Sequence, residues 1–112
     1  MKTSDNIHFH WRLIQTAQNE SAIINFPNNA NQAAFPDLKS QGEFCKIAED
    51  LGIESVLVDI NHEKPDPTIL ATALSRQANE IGFIIAVRSG LLSPTLFTQQ
   101  INTLSTLSKN KI

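Results

Sequence analysis

A chain of 112 residues, 41% hydrophobic and 18% charged, is long enough for one domain with a modest core, which excludes disorder as its normal state. A formal charge of -2 and a pI near 5.8, with nine scattered Lys and Arg residues, exclude nucleic acid and anionic membrane as general partners. Cys45 is the sole cysteine, so a disulfide framework and a cysteine zinc site are excluded and a reducing cytoplasm is the expected compartment.

Residues 1–6 are polar and lack the apolar centre of a signal peptide, and no stretch approaches the roughly 20 apolar residues of a membrane span. Residues 7–13 alternate: Ile7, Phe9, Trp11 and Leu13 share one face and His8, His10 and Arg12 the other. That is the period of a strand covered on one side. Residues 14–36 show no convincing period and are expected to be a long loop or insertion, a length that in compact domains usually marks a lid or binding loop.

Pro36-Asp37 opens a first helix, with Phe44, Ile47, Ala48 and Leu51 spaced as one buried face and Gly52 as its stop. Residues 55–60 form a short, nearly continuous apolar strand, the pattern of a parallel sheet covered on both faces. After a polar loop, Asp66-Pro67 caps a second helix whose inward positions are Leu70, Ala73, Leu74 and Gln77 or Ala78, ending near Asn79 or Glu80. Residues 82–87 are a third strand. Ser93-Pro94 then opens a third helix with Phe97, Ile101, Leu104 and Leu107 or Ser108 along one face, and Lys109 and Lys111 suit its negative end.

Three strands alternating with three helices predict an α/β fold with a parallel sheet and right-handed crossovers. Three units expose two sheet edges, so an incomplete architecture is expected: part of an open doubly wound sheet, or the first three units of a (β/α)8 TIM barrel of roughly 250 residues. The polar face of the first strand favours the barrel.

In either architecture ligands sit beyond the C-terminal strand ends, which here selects His10, Arg12, Asp59, Asn61, His62, Lys64, Arg88 and Ser89. His10 and Arg12 could together bind a phosphate, sulfonate or carboxylate; the competing reading is a solvated strand face. His8 and His10 lack a third ligand at a matching spacing, so no metal site is expected. Asp59 ends an apolar strand and must be paired, hydrated or used; a salt bridge with Lys64 is its structural alternative. Arg88-Ser89-Gly90 is an anion-binding turn in type but lacks the GxGxxG and Walker spacings. Cys45, on a helix with no base placed beside it, reads as packing.

The run Ala86-Val87-Arg88-Ser89-Gly90-Leu91-Leu92-Ser93-Pro94-Thr95 with Gln99-Gln100-Ile101-Asn102-Thr103-Leu104-Ser105 resembles the third strand and helix of the bacterial luciferase-like flavin-dependent monooxygenases. The alkanesulfonate monooxygenase branch is the most similar. The resemblance extends back through residues 44–59, Lys64-Pro65-Asp66-Pro67 and Phe9-His10-Trp11-Arg12-Leu13, nearly the whole chain, but only about the first third of the family's length. It implies a single partial luciferase-like domain over residues 1–112, built as TIM-barrel units. Reduced FMN is the implied cofactor, supplied by a separate NAD(P)H-dependent flavin reductase, with oxygen and a small organic molecule as substrates. Position by position it assigns Asp59, Arg88 and Ser89 to the flavin pocket and His10 and Arg12 to the substrate side. The branch has a cysteine near the flavin where this chain has Lys64, which weighs against a sulfonate substrate, and Asn110-Lys111 stands where the family's third helix ends in Gly-Arg.

The isolated chain is expected to be inactive. The alternatives are a non-catalytic product of a truncated or split gene that assembles with itself or a complementary fragment, and a small anion- or nucleotide-binding α/β module.

Overall fold

The computed structural model describes residues 7–13, 38–60, 64–109 and 111–112. The elements alternate: β1 (His10–Arg12), α1 (Leu38–Asp50), β2 (Ser55–Val58), α2 (Pro67–Ser75), β3 (Gly82–Ile85) and α3 (Pro94–Leu107). The strands form one parallel sheet in the order β1-β2-β3. The long loop expected over residues 14–36 and the helix opening expected at Pro36-Asp37 lie outside the described residues.

Register decides the architecture. Paired residues of neighbouring strands project to the same side, so His10, Ser55 and Gly82 share one face with Arg12, Leu57 and Ile84, while Trp11, Val56 and Phe83 lie on the other. Sequential strand order with right-handed crossovers puts the connecting helices on a single side. That side is the second one: Val56, Val58 and Phe83 are buried in a core with Cys45, Ala48, Leu70 and Leu74, and the Trp11 and Phe44 rings tilt together at 5.6 Å. A doubly wound sheet would carry helices on both faces. One helix-covered and one open face make this an unclosed sheet consistent with part of a TIM barrel.

The segment after α3 extends the plan. The Phe83 N–H donates to the Lys111 carbonyl at 2.6 Å, on the edge of β3 away from β2. A methyl group on Gly82 would stand 3.3 Å from that carbonyl and 3.4 Å from Ser55 Cβ, a tight fit that the neighbours could meet only by giving a few tenths of an ångström.

Several expectations need revision. Of the predicted apolar face of β1, Trp11 and Leu13 reach the core, but Ile7 and Phe9 are exposed, Phe9 by 59%, because no described helix packs over that half of the strand. In α1 the buried stripe is Gln41, Gly42, Cys45 and Ala48, with Phe44 half-buried. Ile47 is 55% exposed and Leu51 also faces solvent. Small side chains let α1 lie close against α2, and that packing outweighs the hydrophobicity of Ile47 and Leu51. Strand β2 is buried most completely on its helix side; Leu57, on the open face, is half-buried.

The caps follow the sequence. Asp66 Oδ1 accepts from the Ile69 N–H and Ser93 Oγ from the Leu96 N–H, each with proline at the first helical turn. Gly52, at φ 84°, ends α1. Helix α2 stops at Ser75, earlier than expected, and Lys111 satisfies carbonyls at and beyond that end. Rather than serving its own helix α3, Lys111 Nζ donates to the Ser75 and Ala78 carbonyls (3.3 and 2.7 Å) at the end of α2. Ala78, not Gln77, is buried beyond that end, and Ser108, not Leu107, on the last turn of α3.

Candidate functional site

The strand ends bring three charged side chains together. Arg12 closes β1, and Asp59 follows β2 directly; because β1 and β2 are neighbours, the Arg12 Nε–H donates to Asp59 Oδ2. Lys64 Nζ donates to the same oxygen at 3.1 Å. Partial burial by itself raises the Asp59 carboxyl, but hydrogen bonds and charge from Lys64 and Arg12 outweigh it and hold it below the usual carboxylate range. Asp59 is therefore ionised at neutral pH, and among the described residues the cluster holds two cations and one anion. Arg12 is 59% exposed and Lys64 only 19%.

His10 is engaged elsewhere. Its Nδ1 shares a 2.6 Å hydrogen bond with Ser55 Oγ, two residues deeper in the sheet than Arg12. His8 continues the cross-strand series, its Nδ1–H donating to the Glu54 carboxylate at 2.6 and 2.8 Å. Arg88 and Ser89 are exposed on the turn between β3 and α3, and no described residue ties them to the Arg12–Asp59–Lys64 cluster. Asn61 and His62 lie outside the described residues. Among the described residues no three His, Cys, Asp or Glu side chains gather as a metal site would require, and no helix is long and apolar enough to cross a membrane.

Two other features compete for attention. A cavity of about 520 Å³ is lined by Glu54, Ser55, Gly82, Phe83, Lys109 and Lys111. It sits at the N-terminal ends of β2 and β3, opposite to where β/α folds place their chemistry. The charged cluster at the C-terminal ends is the stronger candidate. Cys45 is fully buried, and its thiol is pushed up to about 11 by burial first and by the Glu49 charge second. Such a thiol is neither a nucleophile nor a metal ligand at neutral pH. Iodoacetamide at pH 8 is expected to alkylate it on the order of 100-fold more slowly in the native chain than in denaturant; comparable rates would place it at the surface.

Sequence reasoning placed Asp59 beside Lys64 only as an alternative, and Arg12 beside His10. The partner for Arg12 that the sequence does not reveal is Lys64, separated from it by 52 positions; among the described residues the two are linked through a shared carboxylate just past the adjacent strand, and periodicity carries no trace of that.

A family model described as luciferase-like monooxygenase matches residues 15–110. The match spans β2, β3 and all three helices, and with them the Asp59, Lys64 and Arg88 positions.

Proposed function

The chain belongs to the luciferase-like monooxygenase family, and from that premise we propose that it supplies one wall of an FMN-dependent monooxygenase site acting on a small organic substrate. The observation that carries this reading is the open sheet face. It is free of described helices, ends in the Arg12–Asp59–Lys64 cluster, and adjoins the exposed Ile84 and Val87.

The residues fit a flavin in chemical type. Leu57 and Ile84 offer apolar surface to a planar ring, and Arg88 and Ser89, on the turn before the Ser93-capped α3, offer donors to its polar groups. When bound in reduced form, the flavin would supply the electrons for oxygen activation. The part left to this chain is to bind and orient. Arg88 and Ser89 hold the cofactor with Asp59 at its margin, and His10 and Arg12 face the substrate side.

A separate NAD(P)H-dependent reductase would deliver the reduced flavin, and the lone buried thiol suits a reducing cytoplasm. Because the sheet is open, this chain by itself should bind without turning over. Pairing with a second copy or a complementary fragment would cover Ile7 and Phe9, which otherwise face water.

Fluorescence titration tests the reading: FMN is expected to bind saturably to the 112-residue chain and several-fold more weakly to Arg88→Ala. With reduced FMN, oxygen and organic substrates, the chain alone should give no product. Absence of saturable FMN binding would remove the flavin assignment, and turnover by the chain alone would remove the inactive-wall assignment.

A further inference from the structure

We infer that Arg12 and Lys64 form a cradle for the oxyanion of an organic ligand, and that Asp59 is the positioning residue that holds the two cations in place. The inference rests on the same strand mouths as the flavin proposal but not on flavin chemistry.

Two cations 52 positions apart in the chain meet on one oxygen, Asp59 Oδ2, across neighbouring strands. They repel each other, and a single ionised carboxylate bridges them while neutralising only one charge. Arg12 engages Asp59 through Nε, so its terminal amino groups remain as donors, and Lys64 commits one of three N–H groups. The largely shielded Lys64 adds charge in a setting less screened than open solvent, while the exposed Arg12 gives access from solvent.

The register adds the organic requirement. Arg12, Leu57 and Ile84 stand side by side on the open face, so an oxyanion held by Arg12 has an apolar wall beside it. His10, bonded to Ser55, is the less suitable partner for Arg12. The chemistry required is a carboxylate, sulfonate or phosphate ester on an organic body. It could belong to a substrate or to the flavin.

The test is an NMR titration of the 112-residue chain at constant ionic strength with propane-1-sulfonate, inorganic phosphate, FMN and riboflavin. Propane-1-sulfonate is expected to shift the Arg12 Nε–H and Leu13 amide signals saturably and more strongly than inorganic phosphate does. Arg12→Gln and Lys64→Met should each weaken it at least tenfold while leaving the circular dichroism spectrum unchanged.

Asp59→Asn separates positioning from bulk charge. Removing a negative charge would tighten anion binding by electrostatics alone, whereas loss of the bridge should weaken it threefold or more, with partial rescue by Asp59→Glu. Tighter binding in Asp59→Asn overturns the positioning role, and unchanged affinity in the Arg12 and Lys64 variants overturns the cradle.

FMN binding tighter than riboflavin, with the difference lost in Lys64→Met, identifies the anion as the flavin phosphate. Equal flavin affinities, with sulfonate binding lost in that variant, identify it as the substrate's. Sulfonate binding without FMN binding keeps the cradle and removes the flavin proposal. FMN binding unaltered in every variant, with no sulfonate binding, does the reverse.

Discussion

Leu74→Ala is expected to lower the free energy of unfolding by about 3 kcal/mol, the middle of the range for large-to-small changes at fully buried sites. Leu74 is 0% exposed on α2, in the core that joins α1 and α2 to β2 and β3. Truncation removes the transfer free energy of the side chain and leaves a void that the backbones around it can close only in part. Domains of this size are stable by about 5–15 kcal/mol, so the loss is a large fraction of the total. The melting temperature should fall by about 10 °C. Urea denaturation should show a lower midpoint with an unchanged slope. Leu107→Ala, at an exposed position one residue before the buried Ser108, is the control and should change stability by less than about 0.5 kcal/mol. Equal effects at the two positions would mean that α2 is not the central helix of this core.

Glu49→Ala is expected to cost about 2 kcal/mol, on the scale of hydrogen bonds to a charged group. Glu49 Oε1 accepts from the backbone N–H groups of Asn79, Glu80 and Ile81 at 2.9, 2.7 and 2.8 Å. One carboxylate near the end of α1 thus ties down the whole turn between α2 and β3. Partial burial by itself raises the Glu49 carboxyl; the Ile81, Glu80 and Asn79 bonds and the Lys111 charge outweigh it and hold it below its ordinary value.

A folded-state pKa below the unfolded one means that the contribution is fully present above the unfolded value of about 4.3, and is lost as pH falls through the folded value. The stability gap between the wild type and Glu49→Ala should therefore be constant from neutral pH down to about pH 5 and narrow below pH 4. Glu49→Gln keeps an acceptor without the charge and should fall between the two. Chemical denaturation at a series of pH values measures the gap. A gap that stayed constant into the acid range would show that the charge contributes nothing.

These two residues also mark where reading the sequence succeeds and where it stops. Leu70 and Leu74 were recoverable from helical spacing, because a helix with one wet side must repeat its apolar positions at that period. Glu49 carried no such signal. Its partners lie 30 to 32 positions away and are backbone groups, which every residue but proline has. Lys111 was legible as a helix-end cation but not as one belonging to α2, since charge at a C-terminus is read locally and this contact is made through space.

By itself the sequence determined the alternation of three strands and three helices, the Asp66 and Ser93 caps, the Gly52 stop and the residues able to carry charge at the strand ends. Those are local properties, set by backbone preference, side-chain period and short-range hydrogen bonds. Only the tertiary structure decided which face of the sheet the helices cover, that α1 buries Gly42 and Cys45 instead of Ile47 and Leu51, and that Arg12 meets Lys64 over Asp59 while His10 turns to Ser55. Each depends on strand order and register. A one-residue shift in register would exchange the two faces of a strand while leaving its composition and period the same.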